Sequence, residues 1–260
     1  MRAPHMIAER ALDTMKVAAR EQVLVAMLGI PRLLRHRVWT TVDTTQGQGL
    51  GVLLVPGFGA SDHTLTLTGA WLRARGYRPT GAGIGFTVGC TTDLVDRLER
   101  RLEEHAEATG GQVVLIGQSR GGTLARLLAV RRPDLVRGLV MLGSPVVEPL
   151  NAQRDVMAIA GFLARLSTFG VPGLMNGDCF SGDCYRTNIS ALAAPLEVPA
   201  LSVYSRSDGI VPWQCSLDPY AEHLEVRCTH TGMAFEPAVY RALDRQLVGW
   251  ADSHALAAAC

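Results

Sequence analysis

The run "VVLIGQSRGGTLARLLAV", Val113 to Val130, carries the first residues whose types and spacing could do chemistry. Four apolar residues lead into Gly117. A lone serine follows between Gln118 and Arg120, then Gly121 and Gly122, then an apolar-periodic stretch. A strand that stops in a tight turn and leaves as a helix would strain Ser119 and push its hydroxyl clear of the sheet. Glycine is needed at 117 and 121, because a Cβ there would meet the neighbouring strand or helix. A helix beginning directly after the serine also aims unpaired N–H groups at charge that develops there. Such a serine still needs a base, a carboxylate to orient that base, and donors for an oxyanion.

In an open α/β sheet the ligand lies outside the carboxyl ends of the strands, so partners are sought just past strand ends. "ALSVYSRSDGIVPW" places Asp208 after one apolar run, and "LEVRCTHTGM" places His230 after the next. Ser119, Asp208 and His230 therefore form the expected nucleophile, acid and base. Competing histidines fit less well. His223 opens a strand at its wrong end, His105 falls mid-helix, His254 lies in the tail, His5 and His36 lack a partner, and His63 is a rim candidate. Asp218 is the rival carboxylate, in a helix-capping context before Pro219. The turn "VPGFGAS" follows the first apolar strand, and its two glycines let backbone amides face the site. The amides of Phe58 and Arg120 would then pair as oxyanion donors.

The elements that must position these residues are readable as alternation. Short apolar runs at 51–57, 77–84, 112–117, 138–145, 200–205 and 224–228 are separated by helical patterns at 64–75, 91–108 and 121–131, with another at 237–250. That rhythm means βαβ crossovers and a mostly parallel, doubly wound sheet with helices on both faces. Residues 6–30 read as a further helix, so 1–48 form a lead-in and 49–255 the main domain. Residues 146–198 break the rhythm with the apolar "DVMAIAGFLARLSTFGVPGLM" and then loops, which reads as a short helical cap over the sheet.

With these motifs placed, the chain resembles the α/β-hydrolase superfamily, and within it bacterial lipases and esterases with a "PGFG" turn where "HG" is commoner. The likeness spans roughly 49–250, and the run Arg75–Gly89 also fits that subgroup. Pro56 stands where the superfamily usually has histidine, and Arg120 where Met, Leu or Gln is frequent. Only the backbone amide is needed at 120, which frees the Arg120 side chain to help fold the site or to meet a substrate anion. The resemblance implies an α/β-hydrolase fold and a serine hydrolase cleaving a carboxylic ester or thioester through an acyl-enzyme. An acyltransferase, thioesterase or cyclase is the alternative, and a non-catalytic binding protein on the same scaffold a further one. No metal or cofactor is implied. The surplus of apolar residues in the cap suggests a roof for an apolar acyl group, with Phe86, Phe162, Leu166 and Met233 as substrate contacts.

Composition bounds the rest. The 260 residues are 48% hydrophobic and 19% charged, a globular composition. Twenty-five basic residues against 24 acidic ones leave a net charge of +1, which argues against nucleic acid or an anionic membrane as the main partner. The apolar run Val23–Ile30 is too short to span a bilayer and lacks a signal-peptide layout. A cytoplasmic enzyme acting on a small molecule is the default, with a homo-oligomer left open. Six scattered cysteines form no CxxC pair. Cys179 and Cys184 could bridge locally around a Ser-Gly turn, as could Cys215 and Cys228 near the site.

Overall fold

The structure is a computed structural model that describes residues 25, 27–170 and 173–258. The expected helix at 6–30 lies almost wholly outside them; residues 27–34 are helical. Six strands form one sheet: β1 (Gly51–Val55), β2 (Arg78–Gly81), β3 (Val113–Gln118), β4 (Val136–Leu142), β5 (Ala200–Tyr204) and β6 (Glu222–Glu225). Their order is β2-β1-β3-β4-β5-β6 and every pairing is parallel. The helices after β1 are α1 (Thr66–Ala74), α2 (Thr91–Thr109), α3 (Arg120–Arg131), α4 (Arg154–Thr168), α5 (Asp178–Ser181), α6 (Asp183–Ala193) and α7 (Pro237–Ala258). The winding reverses between β1 and β3, which makes their carboxyl ends the natural crevice.

The central strands are mostly apolar because both of their faces are covered. Alternate residues sort into two cores. Val52, Leu54, Val114, Ile116, Val140 and Leu142 pack with Trp71 of α1 and Tyr240, Leu243 and Leu247 of α7. Leu53, Val55, Val113, Leu115, Leu139 and Met141 pack with Leu94 and Leu98 of α2 and Leu124 and Leu128 of α3. Gly138 lets the Trp250 ring lie flat on β4, since a Cβ there would sit 2.8 Å from the indole.

Several strands are shorter than the apolar runs suggest. β2 pairs only to Gly81, because Gly83 and Gly85 turn the chain at φ 66° and 70°. Gly143, at φ 58°, follows the end of β4 and breaks its run. β6 lies at 222–225, ahead of the apolar run, as an edge strand with mostly exposed side chains that leave no burial pattern to read. The cap between β4 and β5 is more helical than expected: α4 runs for 15 residues and α5 and α6 follow where loops were expected.

Candidate active site

Ser119 sits between the last residue of β3 and the first of α3, at φ 53° and ψ −129°. This left-handed backbone is unfavourable for a residue with a side chain, and such strain persists only where surroundings enforce it. The surroundings here are backbone. A Cβ on Gly121 would strike the Val55 and Pro56 carbonyls of β1 and its turn, one on Gly117 would strike Gly122, and one on Gly122 would strike Ser144. The Ser119 amide donates to the Leu142 carbonyl at 2.8 Å, which ties the bend to the end of β4.

Gly143, next along, is the floor on which the base rests. The position a Cβ would take there is 3.1 Å from His230 Nδ1 and 3.2 Å from Asp208 Oδ2. His230 Nδ1 lies 2.6 Å from Asp208 Oδ2, with both side chains nearly inaccessible. Asp208 Oδ1 accepts the amides of Ile210 and Val211, each at 2.8 Å, so the carboxylate cannot rotate away. Gln118 donates its side-chain amide to the His230 carbonyl at 3.4 Å, linking the histidine loop back to β3. The structure thus brings Asp208 and His230 together against the β4 end that also holds Ser119.

The rival groups are committed elsewhere. Asp218 is fully buried and paired through both oxygens with the guanidinium of Arg126, which also donates to the Ala194 carbonyl. His223 contacts the Asp218 carbonyl, His105 contacts the Arg78 carbonyl, and His36 accepts the Val38 amide. His63 is exposed. The other serine in a glycine turn, Ser144, is completely buried.

The "PGFG" turn lies directly over the serine: a Cβ on Gly57 would be 3.2 Å from the Ser119 Cβ. Arg120 is the first residue of α3, so its amide has no partner within the helix. Among the described residues no turn or loop backbone hydrogen bond uses the amide of Phe58 or of Arg120. The Arg120 side chain builds the site, donating to the carbonyls of Thr87 and Gly89 at 2.7 Å each and to Thr91 Oγ1 at 3.2 Å. Its guanidinium carbon lies 5.8 Å from the Phe58 ring centre. Burial pulls this guanidinium down to about 10, opposed by the nearby thiols, so it stays charged at neutral pH.

A cavity of about 110 Å³ opens beside Ser119, between α3 and the cap. Its apolar wall includes Leu124 and Leu127 of α3, Val156 and Met157 of α4, and Ile189 and Leu192 of α6. The four contacts expected from sequence lie elsewhere. Phe86 is 66% exposed and Phe162 51% exposed. Phe162 and Leu166 share the face of α4 opposite to Val156 and Ala160, and neither reaches the cavity. Met233 is buried in the core beneath the histidine, its sulfur against Gly143. The α3 wall did leave a sequence signal: "TLARLLAV" is apolar at all but Thr123 and Arg126, as suits a helix covered on two sides. The α6 wall did not, because "DCYRTNISALA" is half polar.

Cys179 and Cys184 are separate thiols 4.0 Å apart, and Cys215 and Cys228 are also free. A hydrogen bond from Cys90 pulls the Cys179 thiol down to about 7. Among the described residues no helix is long and apolar enough to cross a membrane.

These elements and their order define the alpha/beta hydrolase fold, and the family model of that fold matches residues 52–169. No curated protein matches the sequence. Among solved structures, a lipase from Bacillus licheniformis superposes with a TM-score of 0.59 at 16% identity, covering 76% of this chain and 92% of its own. The monoacylglycerol lipase of Paleococcus ferrophilus gives 0.52 at 18%, covering 78% and 96%. The thioesterase domain of the curacin biosynthetic pathway gives 0.52 at 15%, covering 78% and 92%. The chain has the alpha/beta hydrolase fold and resembles the bacterial lipases and esterases built on it.

Proposed function

We propose that this chain is a serine hydrolase that cleaves a carboxylic ester or thioester through an acyl-enzyme. The observation that carries the reading is the 2.6 Å pairing of His230 Nδ1 with Asp208, on the same strand end that holds the strained Ser119. With Nδ1 committed to the carboxylate, Nε2 is the nitrogen left to take the serine proton. Ser119 Oγ attacks the carbonyl carbon and His230 receives its proton. The tetrahedral oxyanion is met by the amides of Phe58 and Arg120. Collapse expels the alcohol or thiol, which takes the proton from His230, and water repeats the sequence to release the acid. Asp208 stays ionised and stabilises the imidazolium at each stage.

The apolar wall of Leu124, Leu127, Val156, Met157, Ile189 and Leu192 favours an aliphatic acyl group. Each buried methylene contributes up to about 0.8 kcal/mol, close to fourfold in kcat/KM. Hydrolysis of p-nitrophenyl esters from acetyl to hexanoyl tests this. A rise of several-fold across the series, abolished in Ser119→Ala, is expected. A flat profile would remove the acyl pocket, and unchanged turnover in Ser119→Ala would remove the nucleophile.

A further inference from the structure

The thiols of Cys90, Cys179 and Cys184 converge from three elements. Cys90 directly precedes α2, Cys179 lies in α5, and Cys184 is in the first turn of α6. Their sulfurs all lie within 4.8 Å of one another, with Cys90 and Cys184 at 3.4 Å and Cys179 and Cys184 at 4.0 Å. In a tetrahedral site with metal–sulfur bonds of about 2.3 Å, neighbouring sulfurs stand about 3.8 Å apart. The two spacings that involve Cys184 fall on either side of that value. We propose that these three cysteines form a binding site for a soft divalent cation of the zinc type, joining the cap to the core.

A hydrogen bond to Cys179 and burial push the Cys90 thiol up, while other features around the trio favour thiolates. Cys90 caps the N-terminus of the 19-residue α2, and Cys184 lies at that of the 11-residue α6, so both face the positive end of a helix. Thr92 Oγ1 and Asn188 Nδ2 approach the Cys184 sulfur at 3.3 and 3.5 Å, as partners around a metal ligand do. The Arg120 guanidinium is bonded to Gly89 and Thr91, on either side of Cys90, and supplies one fixed positive charge. Three thiolates, a divalent cation and Arg120 sum to zero. Binding would turn the three groups into thiolates, releasing the protons the thiols still carry, and involves no oxidation. All-sulfur donors select against magnesium and calcium, which prefer oxygen, and three protein ligands leave a tetrahedral cation one position for water. No sequence motif marks the site, since Cys90 lies far along the chain from the other two.

Cys90 belongs to the core side and the other two to the cap, and Cys179 and Cys184 line the cavity beside Ser119. A bound cation therefore fixes the roof over the serine. The site does not depend on the hydrolase reading, and its test uses metal readouts.

Cobalt(II) is titrated into the reduced full-length protein without oxygen. The expected result is a sulfur-to-cobalt charge-transfer band saturating at one ion per chain and displaced by zinc. Loss of an outer partner of a metal ligand typically weakens binding by about 10–100-fold, so Cys90→Ser and Cys184→Ser should each weaken it by at least that much. Cys228→Ser should leave it unchanged. Far-UV circular dichroism checks that the variants fold. Zinc-edge X-ray absorption of the unmutated protein reads three sulfurs per zinc without relying on any variant. No band in the reduced protein, or a band that survives in both serine variants, overturns the proposal. So does a Cys90–Cys184 disulfide in the isolated protein whose reduction restores no cobalt binding, which would mark a redox pair instead.

Discussion

The floor and the roof of the cavity use glycine in opposite ways. Under Ser119, a Cβ on Gly117 or Gly121 would collide with backbone, one on Gly122 with Ser144, and one on Gly143 would crowd the histidine and carboxylate. In the cap, Gly161, Gly170 and Gly173 have nothing within 4 Å of the place a Cβ would occupy. The floor thus leaves no room for added side chains at these four positions. The roof packs around the small cluster of Ala160, Met175, Cys179 and Cys184, and main-chain bonds such as Met175 N–H to the Val88 carbonyl tie it to the core. On the proposed reading the difference separates two properties: the sheet would hold the reacting groups, and the cap would choose the substrate.

Substitution in the floor should have the largest effect. Gly121→Val forces a side chain into the Val55 and Pro56 carbonyls, and we expect no soluble folded protein, measured by expression and thermal melting. A folded, active Gly121→Val variant would show that the bend is not constrained as described.

Two buried carboxylates break the comparison down further. Asp208→Asn keeps an oxygen for the Ile210 and Val211 amides but turns an NH₂ toward His230 Nδ1, which imposes the wrong tautomer. A fall of about 10⁴ in kcat with little change in Tm is expected. Asp218→Asn instead leaves the buried Arg126 unpaired, costing about 3–5 kcal/mol of stability. The folded fraction should retain its turnover. A reversal of these two outcomes would give the orienting role to Asp218.

Much of the floor was legible because its physics is local. Contiguous apolar strands, glycines flanking one serine, and Asp208 and His230 just past strand ends each follow from the chain within a few residues. The wall was less legible. Phe162 and Leu166 looked suited to a substrate, yet which face of α4 turns inward depends on where the cap docks, and Val156 and Ala160 face inward instead. Met233 is equally apolar but serves beneath the histidine. The pairing of Asp218 with Arg126 is 92 residues long-range, beyond any local pattern.

Smaller effects are expected in the roof. Phe86→Ala and Phe162→Ala alter exposed side chains outside the cavity, so stability should move by no more than about 0.5 kcal/mol. The acyl-chain profile should be unchanged; a changed profile would place those rings on the substrate path. Gly161→Ala fills open space within α4 and should raise stability by about 0.5–1 kcal/mol if the cap unfolds together with the domain. An unchanged Tm would show the cap to melt separately from the floor.

The most direct measurement is the reaction of the full-length protein with a fluorophosphonate, followed by peptide mapping in a mass spectrometer. The account predicts one phosphonylated residue, Ser119, with labelling lost in Ser119→Ala and slowed strongly in His230→Ala while both variants keep their fold. Label on another serine, or undiminished labelling in Ser119→Ala, would contradict it.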